Sequence, residues 1–154
     1  MNNTQTETLE TWISLYLTAQ RGYLATDYKT SAGYYLQMEP VKEFDYKNRS
    51  ELIAALEGAF KVGNPLIEAP MEAPGGSLIM EAAGFKSASE LEKNTFPVSI
   101  EKLTTCYEIR CPERLANGRW DKRTYALSRS IPLGMGCPGI ADVILEYLQT
   151  RSAK

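Results

Sequence analysis

The groups in this chain best suited to chemistry are three thiols and nineteen carboxylates, because its 154 residues include no histidine. Histidine is the side chain that most easily moves a proton near neutral pH. Acid–base work would therefore fall to carboxylate, lysine, tyrosine or cysteine. Carboxylates pair in sequence at Glu39 with Glu43, Glu51 with Glu57, and Glu90 with Glu92. Glu51 and Glu90 each stand three residues after a capping residue, Asn48 and Ser87, which is the spacing of a capping box. Glu57 falls on the outer face of the helix that Glu51 starts. Cys106, Cys111 and Cys137 form no C-x-x-C pair, so a tetrahedral zinc site would need a carboxylate to complete it. A nucleophilic thiol wants a neighbouring base, and the three cysteines read as structural. Ser77, Ser87 and Ser89 stand near turns and helix starts, with no G-x-S-x-G or S-x-x-K run around them. Gly134-Met135-Gly136-Cys137-Pro138-Gly139 precedes a helical pattern, where an anion can bind. It lacks the Walker lysine, Pro138 removes a donor, and it reads as a tight lead into the helix. These residues predict a protein that is not an enzyme and takes neither cofactor nor metal.

A second chemistry is stacking and charge neutralisation. Arg110, Arg114, Arg119, Trp120, Lys122, Arg123, Tyr125 and Arg129 mix basic and aromatic character, as a single-strand-binding surface does. Against that, 17 basic and 19 acidic residues leave a net charge of −2, so no global field draws the chain to nucleic acid or anionic membrane. The preferred reading is a solvated hairpin anchored by one tryptophan.

The elements that position these residues follow from periodicity. Leu9, Trp12, Ile13, Tyr16 and Leu17 recur at three- and four-residue steps, predicting an N-terminal amphipathic helix within residues 8–21, ended by Gly22. Gly33 to Pro40 is aromatic-rich and reads as a strand. Asn48 opens a helix whose stripe is Leu52, Ile53, Leu56 and Phe60, with Gly63 as its stop. Residues 64–76 hold three of the eight prolines and Gly75-Gly76, predicting an exposed loop with room for a binding role. Ser87 caps a short helix over 88–94. Residues 98–100 and 104–110 then alternate as half-buried strands, with Tyr107 and Ile109 on one face and Cys106 and Glu108 on the other. Asn117-Gly118 marks a tight turn, and Thr124 to Pro132 a further strand. Ile140, Ala141, Ile144, Leu145 and Leu148 predict a C-terminal amphipathic helix, begun through Pro138.

The sum is an α+β fold over residues 1–154: a single domain, with an antiparallel or mixed sheet flanked by helices. The hydrophobic fraction of 44% suits one packed core. The opening Met1-Asn2-Asn3-Thr4 lacks the basic and apolar regions of a secretory signal, and the apolar runs are too short for a membrane span. With unpaired thiols, this predicts a cytoplasmic protein.

The order of motifs between Asn48 and Ile109 carries a family likeness. Asn48-Arg49-Ser50-Glu51-Leu52 opens a helix closed by Gly58-Ala59-Phe60. Glu81-Ala82-Ala83-Gly84-Phe85-Lys86-Ser87 comes after it, then Glu90-Leu91-Glu92, Val98-Ser99-Ile100 and Tyr107-Glu108-Ile109. This arrangement resembles a family of bacterial contact-dependent growth-inhibition immunity proteins. The resemblance implies that the chain binds and neutralises the C-terminal toxin domain of a delivered effector, commonly a nuclease. It implies no catalytic residue. An inhibitor of a nuclease presents carboxylates to a basic cleft. The expected toxin-binding residues are accordingly Glu39, Glu43 and Asp45 around Phe44 and Tyr46, with Glu68 and Glu72 in the proline-rich loop. The alternative is a nucleic-acid-binding accessory protein using residues 110–129.

Overall fold

Residues 8–21 do not form a helix. In the computed structural model, which describes residues 7–71 and 77–152, Thr11–Leu17 is a β-strand, β1. It pairs along its whole length with a later strand, from Thr11 opposite Lys102 to Leu17 opposite Phe96. Ile13, Leu15 and Leu17 point into the main core, while Tyr16 packs on a second cluster across the sheet. A strand covered on both faces is apolar on both, and its residues then also satisfy a helical spacing. Tertiary pairing decides between the two.

The remaining elements run β2 (Gly22–Thr30), β3 (Tyr35–Phe44), α1 (Arg49–Val62), the two-residue β4 (Leu66–Ile67), α2 (Leu78–Ala83), α3 (Ala88–Asn94), β5 (Phe96–Lys102), β6 (Cys106–Arg114), β7 (Trp120–Pro132) and α4 (Gly136–Ser152). Together they make an α+β domain on one sheet of order β3-β2-β1-β5-β6-β7. Its neighbours along this path are antiparallel, and β4 joins β2 in parallel off the path. A single 3-10 turn, Leu133–Met135, leads from β7 into α4. No described helix is long and apolar enough to cross a membrane.

Local signals explain the helices. Asn48 accepts hydrogen bonds from the Ser50 and Glu51 backbone N–H groups, at 3.1 and 3.3 Å. Glu51 reaches back beyond the expected box to the Asp45 N–H, at 2.9 Å. Ser87 caps α3 through the Glu90 N–H at 3.1 Å. In α1, Leu52, Ala55 and Leu56 are buried, and in α4 Ile140, Ala141 and Ile144. Both helices pack on one face of the sheet against Leu15, Leu17, Val98, Ile100 and Ile109. The opposite face carries the smaller cluster of Tyr23, Ala25, Ile79 and Leu91 under α2 and α3. Gly139 explains the glycine-rich lead into α4: a Cβ there would stand 2.6 Å from the Met135 Cβ, so only glycine lets the chain pass.

Candidate functional site

β1 and β2 pair at only two positions, Tyr16 with Tyr23 and Leu17 with Gly22, and then part. Farther along, β4 takes over the free edge of β2, Leu66 opposite Lys29 and Ile67 opposite Thr30. Between these points two side chains span the gap. Asn64 follows Gly63, which ends α1 with a φ of +69° that side-chain-bearing residues rarely adopt. Its Oδ1 accepts the Trp12 N–H at 2.8 Å, and its Nδ2 donates to the carbonyls of Trp12 at 2.8 Å and Asp27 at 2.7 Å. The amide thus stands in for a missing strand residue, satisfying backbone groups that would otherwise be orphaned.

Asp27 supplies the second bridge. Its carboxylate accepts a hydrogen bond from the backbone of Ser14, and the residue is 4% exposed. Burial pushes this carboxyl up to about 7, against the opposing pull of the Ser14 N–H. Tyr16 lies beside it. Burial, and then the Asp27 charge, raise the tyrosine hydroxyl above its ordinary value, while Gln37 Nε2 donates to its oxygen at 3.1 Å. Trp12 stacks obliquely on Tyr35, centroids 5.0 Å apart.

A cavity of about 260 Å³ opens between this gap and α1, lined by Ile13, Leu24, Asp27, Lys42, Ala55 and Val62 among others. A buried carboxyl raised toward neutrality can take up or release a proton near pH 7. Neither Asp27 nor Asn64 belongs to the residues expected from sequence. The signal for Asp27 is its place within Gly22–Thr30, an otherwise strand-forming run in which aspartate is disfavoured.

The expected toxin-binding residues scatter. Glu39 and Glu43 are exposed on the edge strand β3, where Glu43 pairs with Arg21 at 3.0 Å. Phe44 and Tyr46 are core residues, 3% and 7% exposed, and pack inside the fold. Phe44 lies over Gly22, the residue opposite it in β2, in space that a Cβ would fill at 2.5 Å. The Tyr46 hydroxyl donates to the Thr18 carbonyl at 2.7 Å. Asp45 accepts the Lys47 N–H at 3.0 Å. Glu68 is exposed just past β4, and Glu72 lies outside the described residues. Glu43 sits opposite Tyr23, whereas Glu68 adjoins the residue opposite Thr30. Seven strand residues separate the two carboxylates, roughly 23 Å.

The basic and aromatic stretch is largely engaged within the protein. Arg114 donates to the carbonyls of Glu92 at 2.6 Å and Gly118 at 2.8 Å and also to that of Thr95, and it lies 4.8 Å over the Phe96 ring. Trp120 Nε1 donates to the Thr95 carbonyl at 3.3 Å, and Arg119 pairs with Glu92. Arg110 pairs with Glu108 at 3.0 Å and Glu101 at 3.6 Å, and Arg129 with Glu146 at 3.6 Å. Lys122, Arg123 and Tyr125 are exposed on β7. All three thiols are free, and burial is the first cause raising each of them above its ordinary range. Among the described residues, no group of three or more cysteine, aspartate or glutamate side chains is placed to hold a metal.

No family model matches the chain, and no curated protein matches it significantly. Among solved structures it is similar to NMB0488, a protein of unknown function from Neisseria meningitidis. The likeness has a TM-score of 0.61 over 97% of this chain and 98% of that chain, at 14% sequence identity. At that identity it is a likeness of fold.

Proposed function

We propose that this chain is an immunity protein that binds and neutralises the C-terminal toxin domain, a nuclease, of a contact-dependent growth-inhibition effector. It acts in the cytoplasm, where a delivered toxin arrives. The motif order from Asn48 to Ile109 supports the family. The structural observation that carries the binding role is the end of the sheet where β4 meets the β2–β3 turn. There Leu66 is 77% exposed and Tyr34 43% exposed, beside the exposed Glu68. The segment is fastened: Ser31 N–H donates to the Ile67 carbonyl at 2.9 Å, and Ala69 N–H to Ser31 Oγ at 3.0 Å. Apolar anchors held in place beside a carboxylate have the makeup of an interface hot spot, and a fixed backbone loses little freedom on binding. Glu68 answers the basic cleft of a nuclease.

Co-expression with the toxic domain encoded beside this chain tests the reading. Cells carrying both survive, and the two proteins co-purify; death despite expression of this chain overturns it. Within the complex, Leu66→Asp weakens affinity by about 30-fold, the effect of losing one hot-spot residue. Salt-dependent binding of the isolated chain to single-stranded nucleic acid would favour a surface on residues 110–129 instead.

A further inference from the structure

The cleft between α1 and the parted strands has a chemistry of its own, independent of the toxin reading. β2 alternates along it: Tyr23 and Ala25 belong to the cluster under α2 and α3, and Leu24 to the main core under α1. Thr26 therefore shares the α1 side with Leu24, while the Asp27 side chain turns to the other face, beside Tyr16. Lys42 stands opposite Leu24 on β3 and shares its face. Next to this pair the register slips, because Thr26 stands opposite Met38 and three residues of β3 pass one of β2. A bulge of this kind re-aims the side chains beside it, and here both Lys42 and Thr26 line the cleft. The sheet side thus offers an ammonium and a hydroxyl, and neither has a side-chain partner among the described residues. Across from them α1 presents no polar side chain, only Ala55, Gly58, Ala59 and Val62. Glycine weakens the interior of a helix. Close packing does not call for it at Gly58, because a Cβ there meets nothing within 4 Å; it widens the cleft instead.

We propose that this cleft binds a free monocarboxylate on a compact apolar body of about six carbons, the body lying between Leu24 and α1 and the carboxylate accepting hydrogen bonds from Lys42 Nζ and Thr26 Oγ1. The size follows from the volume, about 260 Å³, against the roughly 150 Å³ that holds benzene in an apolar cavity. The sign of the charge follows from Lys42, whose ammonium answers an anion and repels an amine. The orientation follows from the floor, where Ile13 and Ala55 are buried. A ligand enters by its apolar end and keeps its single charge at the rim, where Lys42 is exposed.

The test uses the full chain and nuclear magnetic resonance. 4-Methylpentanoate is titrated in, with 4-methylpentanamide as its neutral counterpart, and the amide signals of Leu24, Thr26 and Gly58 are followed. Saturable shifts in the millimolar range are expected at these positions for both. At low salt the acid binds about fivefold more tightly than the amide, and added salt shrinks that advantage. Lys42→Met, at an exposed position, brings the acid down to the affinity of the amide and leaves the amide unchanged. Gly58→Leu fills the open space and abolishes binding of both. Absence of saturable binding by the acid overturns the proposal, as does equal affinity for acid and amide in the unaltered chain. A preference for the acid that survives Lys42→Met, or undiminished binding by Gly58→Leu, overturns it too. Nα-acetylglycyl-leucine carries a similar acid and body on a peptide, and its exclusion is expected. Binding as tight as that of 4-methylpentanoate would assign the site to the C-terminal carboxylate of a protein and overturn the free ligand.

Discussion

β6 pairs with β7 at nine positions and with β5 at four, whereas β1 and β2 hold two paired positions and then separate. The first region spends its charged side chains on itself. Arg114 ties the β6–β7 turn to the junction of α3 and β5, and Arg110 is held between Glu101 and Glu108. The second region replaces backbone pairing with the Asn64 amide and the Asp27 carboxylate, and keeps a cavity behind them. Polar groups that satisfy one another close a surface. Polar groups that satisfy the backbone of two parted strands hold them together at a distance.

Asp27 offers the sharpest way to break this contrast. Its folded-state value of about 7 lies above its ordinary 3.8, so between those pH values the folded chain holds a proton that the unfolded chain has lost. Its contribution to stability therefore falls as pH rises through that window and levels off above 7, a loss of as much as about 4 kcal/mol. Asp27→Asn should remove this slope and raise stability at pH 8 by up to that amount, read from urea unfolding at a series of pH values. An unchanged slope would mean that the gap is wetter than its geometry implies.

Arg114→Ala comes next, at about 3 kcal/mol of destabilisation, since it leaves buried carbonyls at Glu92 and Thr95 short of a charged donor. The measurement is the denaturant midpoint. Asn64→Ala should cost about 2 kcal/mol, with faster amide exchange at Trp12 and little change in β6. Glu43→Lys breaks only the exposed pair with Arg21 and should shift stability by less than about 0.5 kcal/mol. If it leaves toxin affinity untouched as well, the β3 edge drops out of the interface.

What could be read from sequence divides along similar lines. α1 and α3 are written locally, in Asn48 and Ser87 and the stripes behind them, and both capping side chains act as the spacing predicts. Tyr107 and Ile109 share a buried face because β6 has one covered side, so its alternation survives. β1 lies between β2 and β5 with both faces covered, which erases the alternation and leaves a helix-like pattern. The burial of Phe44 is hidden in the sequence for a related reason. Whether Phe44 faces solvent or core depends on Gly22 directly across the strand pair, twenty-two positions earlier in the chain. Asp27 and Asn64 are likewise joined only by the fold, and no spacing between them announces the hydrogen bond they share.

Asn64 enters the sheet straight from the last turn of α1, with only Gly63 between them. Each residue added to a helix rotates the chain beyond its end by about 100° and advances it by about 1.5 Å. One extra residue in α1 would swing the amide away from Trp12 altogether. Connections are ordinarily where proteins accept insertions and deletions, but this one is closed to them. Helix length and strand spacing are a single inherited quantity here, and descendants of this chain must change both together or neither.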